Sequence, residues 1–207
     1  TMAIRLAING AAGRIGQPLI ALASAHAELG VAAPVRHATH AQLGSDAGAL
    51  AGVGTLSVPL ASSLTEPVAV VIDFSVPRAT QGIVELCLEK KLPLAVATTG
   101  LESEVKHRIV EASQQIPILW SPSMSLAVNL AMKLAEMAGR ALKDHPSGAD
   151  VEIIERHHRY KEDAPSGTAL RFGEIIAGAM GQTEHVHGRS GRPGQRPHGE
   201  IGYHALR

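Results

Sequence analysis

Ile4-Arg5-Leu6-Ala7-Ile8-Asn9-Gly10-Ala11-Ala12-Gly13-Arg14-Ile15-Gly16 is the stretch on which the fold turns. A strand-length apolar run, Ile4 to Ile8, enters a turn with Gly-x-x-Gly-x-x-Gly spacing, and the helical pattern of Leu19, Leu22 and Ala23 follows at once. In that order, strand, glycine turn and helix let a backbone approach a dinucleotide pyrophosphate. The free amides and positive dipole of the helix start then supply donors. The spacing departs from the commoner Gly-x-Gly-x-x-Gly, and the same residues also read as a plain tight turn. Pro18 is comfortable only in a first helical turn, so the helix is expected to begin close to Ile15.

Outward from this turn, strand-length apolar runs alternate with helical patterns as far as Trp120. Strands are predicted at Val68 to Phe74, Leu94 to Thr98 and Ile116 to Trp120. Between them, Pro77 to Lys90 places Ile83, Leu86 and Cys87 on one helical face, and Glu102 to Gln115 does the same with Val105, Ile109 and Ala112. The alternation predicts an α/β fold with a Rossmann-like, doubly wound parallel sheet. Composition changes near Ser121. Ser125 to Leu142 reads as an amphipathic helix with Leu126, Leu130, Leu134 and Met137 along one side, Asp150 to Arg156 as a strand, and Thr168 to Met180 as a helix. Gly188 to Gly199 is a Gly-, Arg- and Pro-rich loop, and Glu200 to Leu206 is a strand with no partner in view. We therefore expect a dinucleotide-binding domain over 1–128 and an α+β domain over 129–207.

The 207 residues carry 19 basic and 19 acidic side chains and are 45% hydrophobic, which excludes a disordered or collagen-like chain. Zero formal charge leaves no electrostatic footprint for nucleic acid, although Arg189, Arg192 and Arg196 in the glycine-rich loop are the residues such a partner would use. No apolar run approaches the length of about 18 residues that a membrane span needs. The single cysteine, Cys87, cannot form an internal bridge, and a reducing cytoplasmic setting is expected. Thr1 ahead of Met2 reads as an added residue, and the first strand is expected to start from Met2.

An acidic residue about 20 positions after a dinucleotide turn normally accepts the adenosine ribose hydroxyls. Here that stretch is Ala33-Pro34-Val35-Arg36-His37, with Val35 where the carboxylate is expected and Arg36 and His37 offering cationic donors. The lean is to NADPH, with NADH also accepted; a solvated loop arginine is the alternative reading of Arg36. Farther on, Glu155-Arg156-His157-His158-Arg159-Tyr160-Lys161-Glu162-Asp163-Ala164-Pro165-Ser166-Gly167-Thr168-Ala169 follows a strand and leads into a helix. Two histidines and a lysine precede a Ser-Gly-Thr helix start whose amides can hold a carboxylate, which describes a site for a small anion. A metal is not expected, because adjacent side chains on an extended segment point to opposite faces.

Glu155-x-His157-His158-x-x-Lys161-x-Asp163-Ala164-Pro165-Ser166-Gly167-Thr168-Ala169 resembles the signature of the 4-hydroxy-tetrahydrodipicolinate (dihydrodipicolinate) reductase family. Gly10 to Gly16, Ile72-Asp73-Phe74-Ser75-x-Pro77, Ala97-Thr98-Thr99-Gly100 and Ser121 to Asn129 extend the resemblance along the chain. It implies an NAD(P)H-dependent reductase of a small cyclic dicarboxylate imine in lysine and diaminopimelate biosynthesis, assembled as a homotetramer when full length. By the same resemblance Gly10, Ala11, Ala12, Gly13, Arg14 and Ile15 hold the pyrophosphate, and Arg36 lies by the ribose. Ala97, Thr98, Thr99, Pro122, Ser123, Met124 and Ser125 lie by the nicotinamide. His157 is the implied acid or base, Lys161 the proton donor, and His158, Gly167 and Thr168 the substrate contacts. Ser123 stands where the family usually has Asn, and Ala97 and Ala127 where Gly is common. Family members continue beyond the segment resembling Gly199 to Arg207, so the second domain is read as incomplete. A reductase of another small carboxylated imine or amino acid, and a nucleotide-binding module without turnover, are the alternatives.

Overall fold

The computed structural model describes residues 3–207; the readings of Thr1 and Met2 fall outside the described residues. The chain divides into two compact units between Pro122 and Ser123. That is ahead of the Val128 boundary read from the sequence, which would cut through a helix, α5 (Leu126–Leu142), whose cap is Ser125.

In the first unit, β1 (Ile4–Asn9), β2 (Leu29–Val35), β3 (Val70–Asp73), β4 (Leu94–Val96) and β5 (Ile118–Trp120) form one parallel sheet in the order β2-β1-β3-β4-β5. This is a doubly wound order whose direction reverses between β1 and β3, so the crevice for a ligand lies at the carboxyl ends of those two strands. Leu6, Ala7 and Ile8 of β1 are buried, as a central strand covered on both faces requires. On one face Ile83, Val84 and Cys87 of α3 (Pro77–Lys90) and Val105 and Ile109 of α4 (Ser103–Ala112) pack on Val71 and Val96. On the other, Ile20 of α1 (Gly16–Ala25) packs with Ile8 and Leu60. Burial, with Asp73 adding to it, pushes the Cys87 thiol up to about 12, which leaves it inert.

The sequence reading did not find β2 or α2 (Ala47–Leu50). Pro34 masks β2, yet a proline is compatible with an edge strand because no ladder bond is lost on its open side. The short α2 is organised by Asp46, whose carboxylate accepts from the amides of Ala49 (2.9 Å), Leu56 (3.1 Å) and Val58 (3.1 Å).

In the second unit, β6 (Val151–Arg156), β7 (Glu184–His187) and β8 (Glu200–Leu206) form a parallel sheet in the order β6-β8-β7. The expectation that the last strand lacks a partner is therefore wrong: β8 is central and paired on both sides. Its second neighbour was missed because β7 contains one apolar residue, Val186, among charged and histidine side chains. Ala169, Ile176 and Ala177 of α6 (Gly167–Met180) cover Ile201 and Tyr203, and the Tyr203 hydroxyl fills the space a Cβ would need at Gly173. The helix α5 packs on α6 where Gly139 lets Ala179 approach. Its expected apolar line lies outside this contact, with Leu126 84%, Leu130 57%, Leu134 56% and Met137 57% exposed.

The loop 188–199 joins β7 to the parallel β8 without a helix and is pinned by Glu152. Arg189 Nη1 (3.0 Å), Arg196 Nε (2.8 Å) and His204 Nε2 (2.7 Å) all meet that carboxylate. Arg196 also donates to the carbonyls of Val151 (2.8 Å) and Glu200 (2.6 Å), so Arg189 and Arg196 are engaged within the fold and do not form the cationic patch considered for nucleic acid. Burial pulls the Glu152 carboxyl upward, but Arg189, His204 and Arg196 outweigh it and hold it at about 2, against an ordinary 4.5. This contribution to stability is complete above about pH 4.5 and is withdrawn as pH falls toward about 2. Glu152→Gln should cost on the order of 1 kcal/mol, the scale of a partly exposed ion-pair network, in denaturant melts at pH 7. Trypsin should then cut faster at Arg189–Ser190, the loop bond open to it, since Arg192 and Arg196 precede prolines; parental cleavage would show that Glu152 does not hold the loop.

Candidate active site

The glycine turn sits at the carboxyl end of β1, where space is short. Gly10 has φ +88°, and a Cβ there would lie 2.6 Å from the Phe74 carbonyl oxygen; one at Gly16 would lie 2.5 Å from that of Ala11. Backbone therefore packs on backbone, and the helix α1 opens with no side-chain cap and no acidic residue in its first turn. The amides of Gln17 and Leu19 already donate to the carbonyls of Gly13 and Ile15 and Pro18 has no N–H, so what this helix start offers an anion is chiefly its positive dipole. Arg36 follows the last residue of β2, and its Nη1 lies 3.7 Å from where a Gly13 Cβ would be. Arg36 has no ion pair among the described residues. The cradle, the bare helix start and the guanidinium beside it fit a dinucleotide's phosphates. Val35 is buried in the core, whereas Arg36 after it is half-buried and His37 is exposed.

Beneath the turn lies Asp73, fully buried at the end of β3. Its carboxylate accepts from Asn9 Nδ2 (2.8 Å), Thr80 Oγ1 (2.8 Å), Thr98 Oγ1 (2.9 Å) and Ser75 Oγ. These donors come from β1, the start of α3, the end of β4 and the loop after β3. The Thr98 side chain thus faces inward to Asp73, whereas Thr99 is exposed and Ala97 half-buried. Of the segment 122–125, Pro122 ends the first unit. Ser125 spends its hydroxyl as the α5 cap, accepting from the Val128 amide at 3.4 Å, and its own amide donates to Ser123 Oγ (3.3 Å). Met124 is exposed.

In the second unit His157, His158 and Lys161 lie on the segment between β6 and α6, and Gly167 and Thr168 are the first two residues of α6. The alternation of an extended chain leaves His157 half-buried and His158 exposed, and no group of three or more metal-binding side chains occurs among the described residues. His157 Nε2 lies 3.1 Å from Glu155 Oε2. Lys161 Nζ donates to Asp163 Oδ1 at 2.6 Å. Burial works to raise the Asp163 carboxyl, but the bond from Lys161 and the Gly167 amide hold it below its ordinary value. Ser166 caps α6, accepting from the Ala169 amide (3.1 Å), while its own amide donates to Glu155 Oε1 (2.8 Å). The helix start expected to bind an external anion therefore already engages one of the chain's own carboxylates, Glu155, while Asp163 pairs with Lys161. Their part was not read from the sequence, although both stand inside the motif.

Two family models match the chain: "Dihydrodipicolinate reductase, N-terminus" over residues 4–124 and "Dihydrodipicolinate reductase, C-terminus" over residues 127–207. A 4-hydroxy-tetrahydrodipicolinate reductase of Rhodopirellula baltica is 51% identical over 210 aligned positions, spanning 99% of this chain and 75% of that protein. One from Pseudomonas fluorescens is 41% identical, spanning 98% of this chain and 77% of its own length. A dipicolinate-bound dihydrodipicolinate reductase from Paenisporosarcina sp. TG-14 superposes with a TM-score of 0.70 at 25% identity, over 99% of this chain and 78% of that one. With both models matched in sequence order and identity well above that needed for common descent, the chain belongs to the dihydrodipicolinate reductase family.

Proposed function

We propose that this chain reduces the cyclic imine 4-hydroxy-tetrahydrodipicolinate, or dihydrodipicolinate, to tetrahydrodipicolinate for lysine and diaminopimelate synthesis, with hydride supplied by a reduced nicotinamide nucleotide. One observation carries the reading: a nucleotide cradle of Gly10 to Gly16 with Arg36, and a His157, His158 and Lys161 cluster at a helix start, stand in one chain matched by both family models. Gly10 to Ile15 hold the pyrophosphate. Ala97, Thr98 and Thr99, with Pro122 to Ser125, shape the nicotinamide end, Thr98 doing so through its backbone because its hydroxyl is committed to Asp73.

On the substrate side His158, Gly167 and Thr168 bind the dicarboxylate, and Lys161 donates a proton as charge develops on the reduced ring. The Lys161–Asp163 pair supports this assignment: the carboxylate keeps the ammonium beside the helix start, and a substrate carboxylate can take its place there. The inert, reduced thiol of Cys87 suits a cytoplasmic enzyme, and no helix among the described residues is long and apolar enough to cross a membrane. The exposed line along α5 supports assembly of the full-length protein as a homotetramer.

The function is tested by following nicotinamide oxidation with enzymatically generated substrate. Lys161→Ala should lower turnover by about 10²–10⁴-fold with unchanged nucleotide affinity; near-parental turnover removes Lys161 from the reaction. NADPH should be favoured over NADH by roughly tenfold to a hundredfold, since a guanidinium–phosphate pair contributes on the order of 1–3 kcal/mol, and salt should erode the difference. Arg36→Asp should reverse the order in fluorescence titrations, and a parent that prefers NADH at low ionic strength contradicts the assignment. Leu130→Lys, at an exposed position, should shift sedimentation of the protein from tetramer toward smaller species that keep the parental circular dichroism; an unshifted tetramer would place the interface elsewhere.

A further inference from the structure

We propose that Glu155 is a positioning residue for His157: it accepts the Nε2 proton and so leaves Nδ1 as the nitrogen presented to a bound molecule. The inference rests on the assignment of His157 to proton transfer.

Extended backbone puts residues two apart on one side, so Glu155 near the end of β6 and His157 just beyond it face the same way. The backbone of His157 is itself fixed, its amide donating to the Leu206 carbonyl at 3.1 Å. The Glu155 side chain is only 10% exposed and is held at both oxygens, Oε1 by the Ser166 amide at 2.8 Å and Oε2 by His157 Nε2 at 3.1 Å. The Arg207 guanidinium stands 4.0 Å from Oε1. Burial opposes ionisation, but the Ser166 and His157 bonds prevail and keep the carboxyl below its ordinary value. An ionised carboxylate only accepts, so Nε2 must be the donor and the neutral ring carries its lone pair on Nδ1. No hydrogen bond to His157 Nδ1 occurs among the described residues. Because Glu155 is anchored on the helix start, it imposes both ring orientation and tautomer.

A role for Glu155 confined to anchoring α6 is separable from this one. Glu155→Gln keeps an oxygen for the Ser166 amide but turns an NH2 toward Nε2, which must then accept, and the proton moves to Nδ1. The measurement is ring 15N NMR of the chain, with the His157 signal assigned by its loss in His157→Gln, alongside steady-state kinetics. Expected are a parental Nε2–H ring, an Nδ1–H ring in Glu155→Gln, and a kcat lower by roughly 10²-fold or more with KM and nucleotide Kd near parental. A parental ring protonated on Nδ1 overturns the proposal without any variant. So does a Glu155→Gln protein that keeps its tautomer, or one that reverses it with undiminished kcat. If His157→Gln turns over like the parent, the proton-transfer assignment fails instead, while the NMR arm still reports the Glu155–His157 bond.

Discussion

A carboxylate with no ion pair among the described residues, that of Asp73, organises the nucleotide half of this molecule. Leaving an ionised Asp73 bare in a dry interior would cost several kcal/mol. Four side chains remove that cost, and each hydrogen bond to a charged acceptor contributes about 1.5–3 kcal/mol. The donors are Asn9, Ser75, Thr80 and Thr98, so satisfying one buried group draws the ends of β1, β3 and β4 and the first turn of α3 to a common point. The glycine turn rests on the backbone of Phe74, the residue next to Asp73, with no room for a side chain between. The cradle is thereby set by the same hydrogen bonds that close the sheet.

The two helix starts at the candidate sites solve the same electrostatic problem in opposite ways. The helix α1 carries no cap and no acidic residue in its first turn, so its dipole is left for a phosphate. The helix α6 is capped by Ser166, whose own amide donates to Glu155, while Asp163 stands ahead of it in the chain. Those carboxylates in turn hold His157 and Lys161. The terminus of α6 thus supports His157 through Glu155, where that of α1 supports no side chain at all among the described residues.

Much of this was legible in the sequence where one physical rule dominated. The turn Gly10 to Gly16, the faces of α3 and α4, and the segment from Glu155 to Ala169 each follow from steric need, periodicity or clustered charge. What escaped was decided by partners distant in the chain. Pro34 hid β2 because its tolerance depends on the strand lying at an edge, and β7 has too few apolar residues to announce itself. The line from Leu126 to Met137 gave the correct helix, but periodicity does not say which face its neighbour covers, and Gly139 and Met132 proved to be the buried side. The pairing of Arg189 and Arg196 with Glu152 was likewise hidden, because 37 and 44 positions separate them from it in the chain.

The order β6-β8-β7 also governs how the second unit can come into being on a ribosome. In the first unit every new strand after β1 finds a neighbour already made: β2 and β3 add to either side of β1, then β4 and β5 extend the same edge outward. The second sheet has no such history. Its first two strands are separated by a gap that only β8 can fill, so β6 and β7 emerge with every ladder hydrogen bond unmade. Vectorial synthesis can therefore build the first unit strand by strand, whereas the second must wait and then assemble in one cooperative event of high contact order.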